Sequence, residues 1–169
     1  ASLKAAGNPT AHGDTLAGGG ITGKAGGDIR LGGQVGSAGS QQWSAGGDFS
    51  ADKGMEAAGL SVEGRNIRIA GDVLSQGAVN MKAGQKLQLG GDLRSAGSTT
   101  LSAGAEGITA KSILTNEDLD IRSQGNIALE QAQAARDVRL ESPAGSIATG
   151  NLLAGRDAGV TAAGNVLVD

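Results

Sequence analysis

Apolar residues in this chain come in pairs one residue apart, and the pairs return about every twenty positions. The clearest series begins at Ile29/Leu31 and continues through Phe49/Ala51, Ile67/Ile69, Leu87/Leu89, Ile108/Ala110, Ile127/Leu129, Ile147/Thr149 and Val166/Val168. Successive leaders are 20, 18, 20, 21, 19, 20 and 19 residues apart, and Pro9 extends the series backwards. The residue inside each pair is often polar: Arg30, Ser50, Arg68, Gln88, Thr109. One side chain in and the next out is the period of a β-strand. A second apolar position follows about six residues on, at Val35, Met55, Val73, Leu93, Leu114 and Leu153. A third segment follows at thirteen or fourteen: Gln41/Trp43, Leu60/Val62, Val79/Met81, Thr99/Leu101, Leu119/Ile121, Val138/Leu140 and Ala158/Val160.

The repeat is visible in whole units. Gly84–Ala103 matches Gly26–Ala45 at 10 of 20 positions without a gap, and Gly71–Gly84 matches Gly13–Gly26 at 7 of 14. Three short strands cannot bury an apolar face alone, whereas stacked copies can. The pattern therefore predicts an all-β, parallel β-helix with three short strands per ~20-residue coil and about eight coils. Crossovers between parallel strands make it right-handed. Nine first strands at ~4.8 Å give a rod of roughly 40 Å. Glycine every few residues disfavours helix by about 1 kcal/mol at each interior position. The one helix-like patch is Leu129–Val138, read as a looser or bulged strand with a short helix as the alternative.

Composition sharpens this picture. There are 31 glycines, no cysteine, no tyrosine, one tryptophan and one phenylalanine, yet 38% of residues are hydrophobic. A disordered chain would be poorer in aliphatic residues. The glycines are expected to supply turns with positive φ and to let coils stack closely. The residue before each first strand (Asn8, Asp28, Asp48, Asn66, Lys86, Gly107, Asn126, Ser146, Asn165) suits a turn. Residues 1–169 read as one repeat segment without a linker. Neither end carries the polar cap of a terminal solenoid unit, so the segment is expected to belong to a longer shaft and its ends to associate.

Net charge is −3 with both signs interspersed, which argues against nucleic acid or an anionic membrane as partner. The lack of cysteine removes disulfides and thiolate chemistry. No apolar run approaches the ~18 residues of a spanning helix, and no export leader lies in this stretch.

The motifs AGGDIRLGG, SAGSQQWSAGGDF, RNIRIAGDVLSQGAVNMKAG and KLQLGGDLRSAGSTTLSAG resemble the haemagglutinin repeats of two-partner-secretion exoproteins. That group includes the filamentous haemagglutinin adhesins and the contact-dependent growth inhibition exoproteins. The resemblance spans Gly7–Asp169 and weakens over Gly125–Ala144. It implies a right-handed β-helical shaft, exported through an outer-membrane partner transporter and displayed or released at the bacterial surface. Such a shaft serves an adhesin for host-cell attachment or carries a toxin to a target cell, and its partner would be a surface receptor or glycan. The repeats are common to both uses.

The candidate sites are few. Glycine-aspartate steps near twenty residues apart do not have the nonapeptide spacing of calcium repeats, so no metal or cofactor is expected. Asp118, Asp137 and Asp157 precede the third strand of three successive units and would stack, with Arg136 and Arg156 placed to neutralise them. A polysaccharide-processing β-helix enzyme would need such acids in a groove with exposed aromatics. Trp43 and Phe49 instead fall in the inward columns, and no catalytic residue is assigned. His12 is the only histidine and reads as a turn residue. Arg30 and Arg68 are in phase but interrupted by Ser50 and Gln88. Lys24, Lys82 and Arg122 share a column with Glu63 and Glu141. A sulfated-glycan stripe is not indicated.

Overall fold

The computed structural model describes residues 1–169 and contains strands and turns, with no helix. Eight full coils of three strands run from Thr10 to Ala162, preceded by the strand Ser2–Ala5 and followed by Val166–Val168. Every strand pairs in parallel with its equivalent in the next coil. On the first face Ile29 lies beside Phe49, on the second Val35 beside Met55, and on the third Ile21 beside Gln41. The pairing repeats without interruption to Ile147 beside Val166. The chain is a parallel β-solenoid, as the apolar periodicity requires.

The interior is a single hydrophobic cluster that extends from Ile21 to Ile147. The in-out alternation predicted for first and third strands holds along it: Leu87 and Leu89 are buried while Gln88 is exposed. The last first-strand residues, Val166 to Val168, are exposed, since Ile147–Thr149 covers them on one side only. Trp43 and Phe49 are both buried, with ring centroids 5.8 Å apart. The indole fits because Gly23 is its neighbour in the preceding coil, and a Cβ there would overlap the ring. Its Nε1–H donates to Gln41 Oε1 at 3.1 Å, and Gln41 Nε2 donates to the Glu56 carbonyl at 2.8 Å, so neither buried polar group is orphaned.

Three expectations are corrected. The inward residues of the sixth and eighth second strands are Ile113 and Leu152. Leu114 points outward and Leu153 is 57% exposed. In the seventh coil Ala132 takes the inward position and is fully buried, so Ile127–Ala134 is an ordinary strand, neither helical nor loosened. The glycines do not act through positive φ: only Gly107 adopts it, at 89°. That residue absorbs the extra position of the 21-residue unit between Leu87 and Ile108.

Elsewhere glycine is required by contact between coils. A Cβ on Gly46, Gly104, Gly125 or Gly155 would collide with a backbone carbonyl oxygen one coil below. The coil repeat brings backbone over backbone at the corners, where only a hydrogen fits.

Candidate functional site

Polar side chains lie on the outward strand positions and at the three corners, and those at the corners hydrogen-bond from one coil to the next. At the corner before the first strand, each Asx oxygen accepts the backbone N–H of its equivalent in the next coil. Asn8 Oδ1 accepts from Asp28 at 2.8 Å, Asp28 Oδ1 from Asp48 at 2.9 Å, and Asn66 Oδ1 from Lys86 at 3.2 Å. Asn126 Oδ1 accepts from Ser146 at 2.8 Å. The same device recurs between first and second strands, where Asp14 receives Gln34 and Asp72 receives Asp92. These bonds satisfy corner N–H groups that the strand ladders do not reach.

The ladder explains the Gly-Asp step. The residue before each Asx sits directly over the Asx oxygen of the previous coil. A Cβ on Gly27 would overlap Asn8 Oδ1, one on Gly47 would overlap Asp28 Oδ1, and one on Gly91 would lie 2.5 Å from Asp72 Oδ1. Glycine and aspartate are thus two parts of one contact, made across coils.

Asp118, Asp137 and Asp157 form such a ladder at the corner before the third strand. Asp118 Oδ1 accepts from the Asp137 N–H and Asp137 Oδ1 from the Asp157 N–H, each at 3.3 Å. Arg156 spans the column, 2.9 Å from Asp137 and 3.7 Å from Asp118. Arg136 turns away from it and pairs with Glu117 at 3.5 Å, which corrects the expectation that both arginines neutralise the aspartates. All these side chains are partly solvated, where a single pair contributes roughly 0–1 kcal/mol.

Asp48 and Arg65 are the pair of ionisable groups whose surroundings shift them. The Asp48 carboxylate accepts from Arg65 Nε at 2.9 Å and Asn66 Nδ2 at 3.0 Å. The Arg65 hydrogen bond holds the Asp48 carboxyl below the usual aspartate range, and partial desolvation opposes it. The same bond raises Arg65.

The remaining candidates lie apart. His12 is exposed at its turn. Arg30 pairs with Asp28 at 3.4 Å, and its register neighbours are Thr10 and Ser50. Lys82 lies 3.9 Å from Glu63 and Arg122 3.3 Å from Glu141, so the third-face column is mixed in sign, with Ser44 and Ser102 interrupting it. No three His, Cys, Asp or Glu side chains converge in a way that could hold a metal ion. The largest depression, about 680 Å³, is an open trough on the first face lined by Gln88, Thr109, Ala128 and Ala148, with Lys111 and Glu130 at its rim.

A further polar column escaped the sequence reading. Ser37, Ser75 and Ser95 donate to the carbonyls of Gly39, Gly77 and Gly97 at 2.7, 3.0 and 2.8 Å, and Thr115 donates to the Gly97 carbonyl. Its signal is the recurring Ser-x-Gly, a short hydroxyl two residues before a glycine carbonyl; the Gly39 and Gly77 carbonyls also accept the backbone N–H of Ala58 and Gly97, so the hydroxyl is a second donor there. No family model, characterised protein or solved structure matches the chain.

Proposed function

We propose that this chain is a non-catalytic spacer: a length of shaft in a secreted, surface-exposed bacterial adhesin of the filamentous haemagglutinin type. The observation that carries the reading is the unbroken stack. Eight coils share one apolar core and continuous parallel ladders, and the corner aspartates and asparagines hydrogen-bond from coil to coil. A solenoid of this kind transmits length, because each coil contacts only its neighbours and adds ~4.8 Å. The repeat motifs quoted above support the family, and through it export by an outer-membrane transporter and attachment to a receptor or glycan on another cell.

The test is where the chain resides on the producing cell. Antibodies raised against it should label intact cells, and protease added outside should remove the label. Labelling that appears only after lysis would overturn the surface reading.

A further inference from the structure

The second face carries one outward residue per coil, because its strands place their flanking residues inward. From the first coil to the eighth the column reads Leu16, Gly36, Glu56, Leu74, Arg94, Leu114, Gln133, Leu153. Register pairs connect its members directly, as in Leu74 beside Glu56 and Arg94, and Arg94 beside Leu114. Of its apolar members, Leu74 is 43% exposed and Leu114 half-buried in mid-column, while Leu16 and Leu153, 70% and 57% exposed, sit in the first and last coils with a register neighbour on one side only. Away from the ends, the face therefore presents Leu74 and Leu114 on either side of Arg94, with Glu56 beyond Leu74.

We propose that this face pairs with the same face of a second copy, with the two rods antiparallel. The order of residues is what selects the partner. A two-fold axis lying in the interface, parallel to the strands and level with Leu74, sets Leu74 against Leu74. It then places Glu56 opposite Arg94 and Gly36 opposite Leu114, each twice by symmetry. Charges meet their opposites, Leu114 meets Gly36 beside the Leu16 Cδ2 that lies 3.0 Å from where a Gly36 Cβ would stand, Leu16 meets Gln133, and Leu153 lies beyond the partner's column. On the rim Asp92 meets Gly54 and lies 3.8 Å from Arg94 of its own chain; on the axis two Asp72 carboxylates come together, exposed and screened by solvent.

Other registers fail on the same residues. Parallel rods place Glu56 on Glu56 and Arg94 on Arg94. An antiparallel slide by one coil joins Leu16 to Leu153 at the ends but sets Leu74 against Arg94 and Glu56 against Leu114, leaving both central charges without a counter-charge. A shift of the axis to Arg94 puts two guanidinium groups face to face, and a shift to Glu56 puts two carboxylates together. Stacked sheets approach to ~10 Å, a distance these side chains span.

The face is about 30 Å long and roughly 10 Å wide, below the standard interface size, so the dissociation constant is expected on the order of 100 µM. Sedimentation equilibrium of the 169-residue chain from about 10 µM to about 1 mM brackets that value. A monomer throughout overturns the proposal. Glu56→Arg and Arg94→Glu should each weaken association at least about tenfold, since each turns two attractive contacts repulsive. The double variant should return to within about threefold of the parent; additive weakening would overturn the pairing. Geometry is read by cross-linking, as the chain has no cysteine. A short bis-maleimide should join two Leu74→Cys chains readily. It should leave Leu153→Cys chains unjoined, because that position lies about 38 Å from its symmetry mate, eight coil steps away. Efficient cross-linking through Leu153→Cys would point to parallel or end-to-end contact and overturn the proposal.

Discussion

The corner between first and second strands is built in two ways. In the coils up to Ser95 it holds three residues: Gly32-Gly33-Gln34 separates inward Leu31 from inward Val35, and Gly90-Gly91-Asp92 separates Leu89 from Leu93. From Gly107 onward it holds two: Lys111-Ser112 between Ala110 and Ile113, Glu130-Gln131 between Leu129 and Ala132, and Gly150-Asn151 between Thr149 and Leu152. Where the two kinds meet, the register slips between Leu89 and Asp92, so that Gly90 and Gly91 together oppose Lys111. The long corner turns sharply, brings backbone over backbone and needs glycine. The short corner runs as continuous strand in Gly107–Thr115 and Ile127–Ala134, as the long corner also does within Val79–Ser95, and it dispenses with glycine at Lys111-Ser112 and Glu130-Gln131. One residue at a corner therefore decides both the local composition and which residue next faces the core.

The largest effect should come from testing that change of phase. Ile113→Asp places a charge inside the apolar column and should cost roughly 3–5 kcal/mol in urea denaturation. Leu114→Asp, one residue on, should stay within about 0.5 kcal/mol at concentrations where the chain is monomeric. A reversed order would mean that the inward position lies six residues after Ile108, as in the earlier coils.

This explains what could and could not be read from the sequence. First and third strands were legible because their pairs carry two apolar residues with a fixed separation, and two points define a phase. The second strand offers one large residue, so its phase had to be carried over from the coils with three-residue corners. That carry-over lands on Leu114 and Leu153, both leucine and both outward. In the seventh coil it lands on Gln133 and makes a sound strand look weak. A slip of one residue exchanges the two faces of a strand, and nothing local flags the shortened corner, since the three-residue corners Gly32-Gly33-Gln34 and Asp52-Lys53-Gly54 also lack a Gly-Asp step. The Gly-Asp step itself was legible as a corner. Its cause was not, because the glycine of one coil answers the aspartate of the previous coil, twenty residues away. Positive φ is the local explanation of a turn glycine, and here it applies to Gly107 alone.

The two corners should also differ in their tolerance of side chains. Gly91→Ala places a Cβ against Asp72 Oδ1 and the Gly71 backbone, both 2.5 Å away, and should destabilise by about 1–3 kcal/mol. Lys111→Ala, at the equivalent place in the next coil, should change stability by less than about 0.5 kcal/mol. A smaller contrast follows for the hydrogen-bond partner. Asp72→Ala leaves the Asp92 N–H without its acceptor and should cost about 1 kcal/mol. Ser112→Ala removes no ladder bond and should be close to neutral in the same denaturation experiment.

The smallest effect concerns the corner before the first strand, where the same shortening occurs once. Val62 and Ile67 are five residues apart where Trp43 and Phe49 are six, and the strand Leu60–Ile69 runs straight through. Arg65 occupies the place that glycine holds at Gly27 and Gly47, and its side chain reaches back to Asp48. Because the Asp48 carboxyl is held below its ordinary value in the folded chain, the unfolded chain takes up its proton first as pH falls. The pairing therefore stabilises fully above the unfolded aspartate value of about 3.9 and is lost as pH drops through the lower folded value. Asp48→Asn should make the acid limb of the stability curve shallower below about pH 4 and leave the neutral region nearly unchanged, since both side chains are well solvated. Arg65→Ala should produce the same flattening, because it removes the same bond. Acid limbs that superimpose on the parent's in both variants would mean that the short corner does not engage Asp48 in solution.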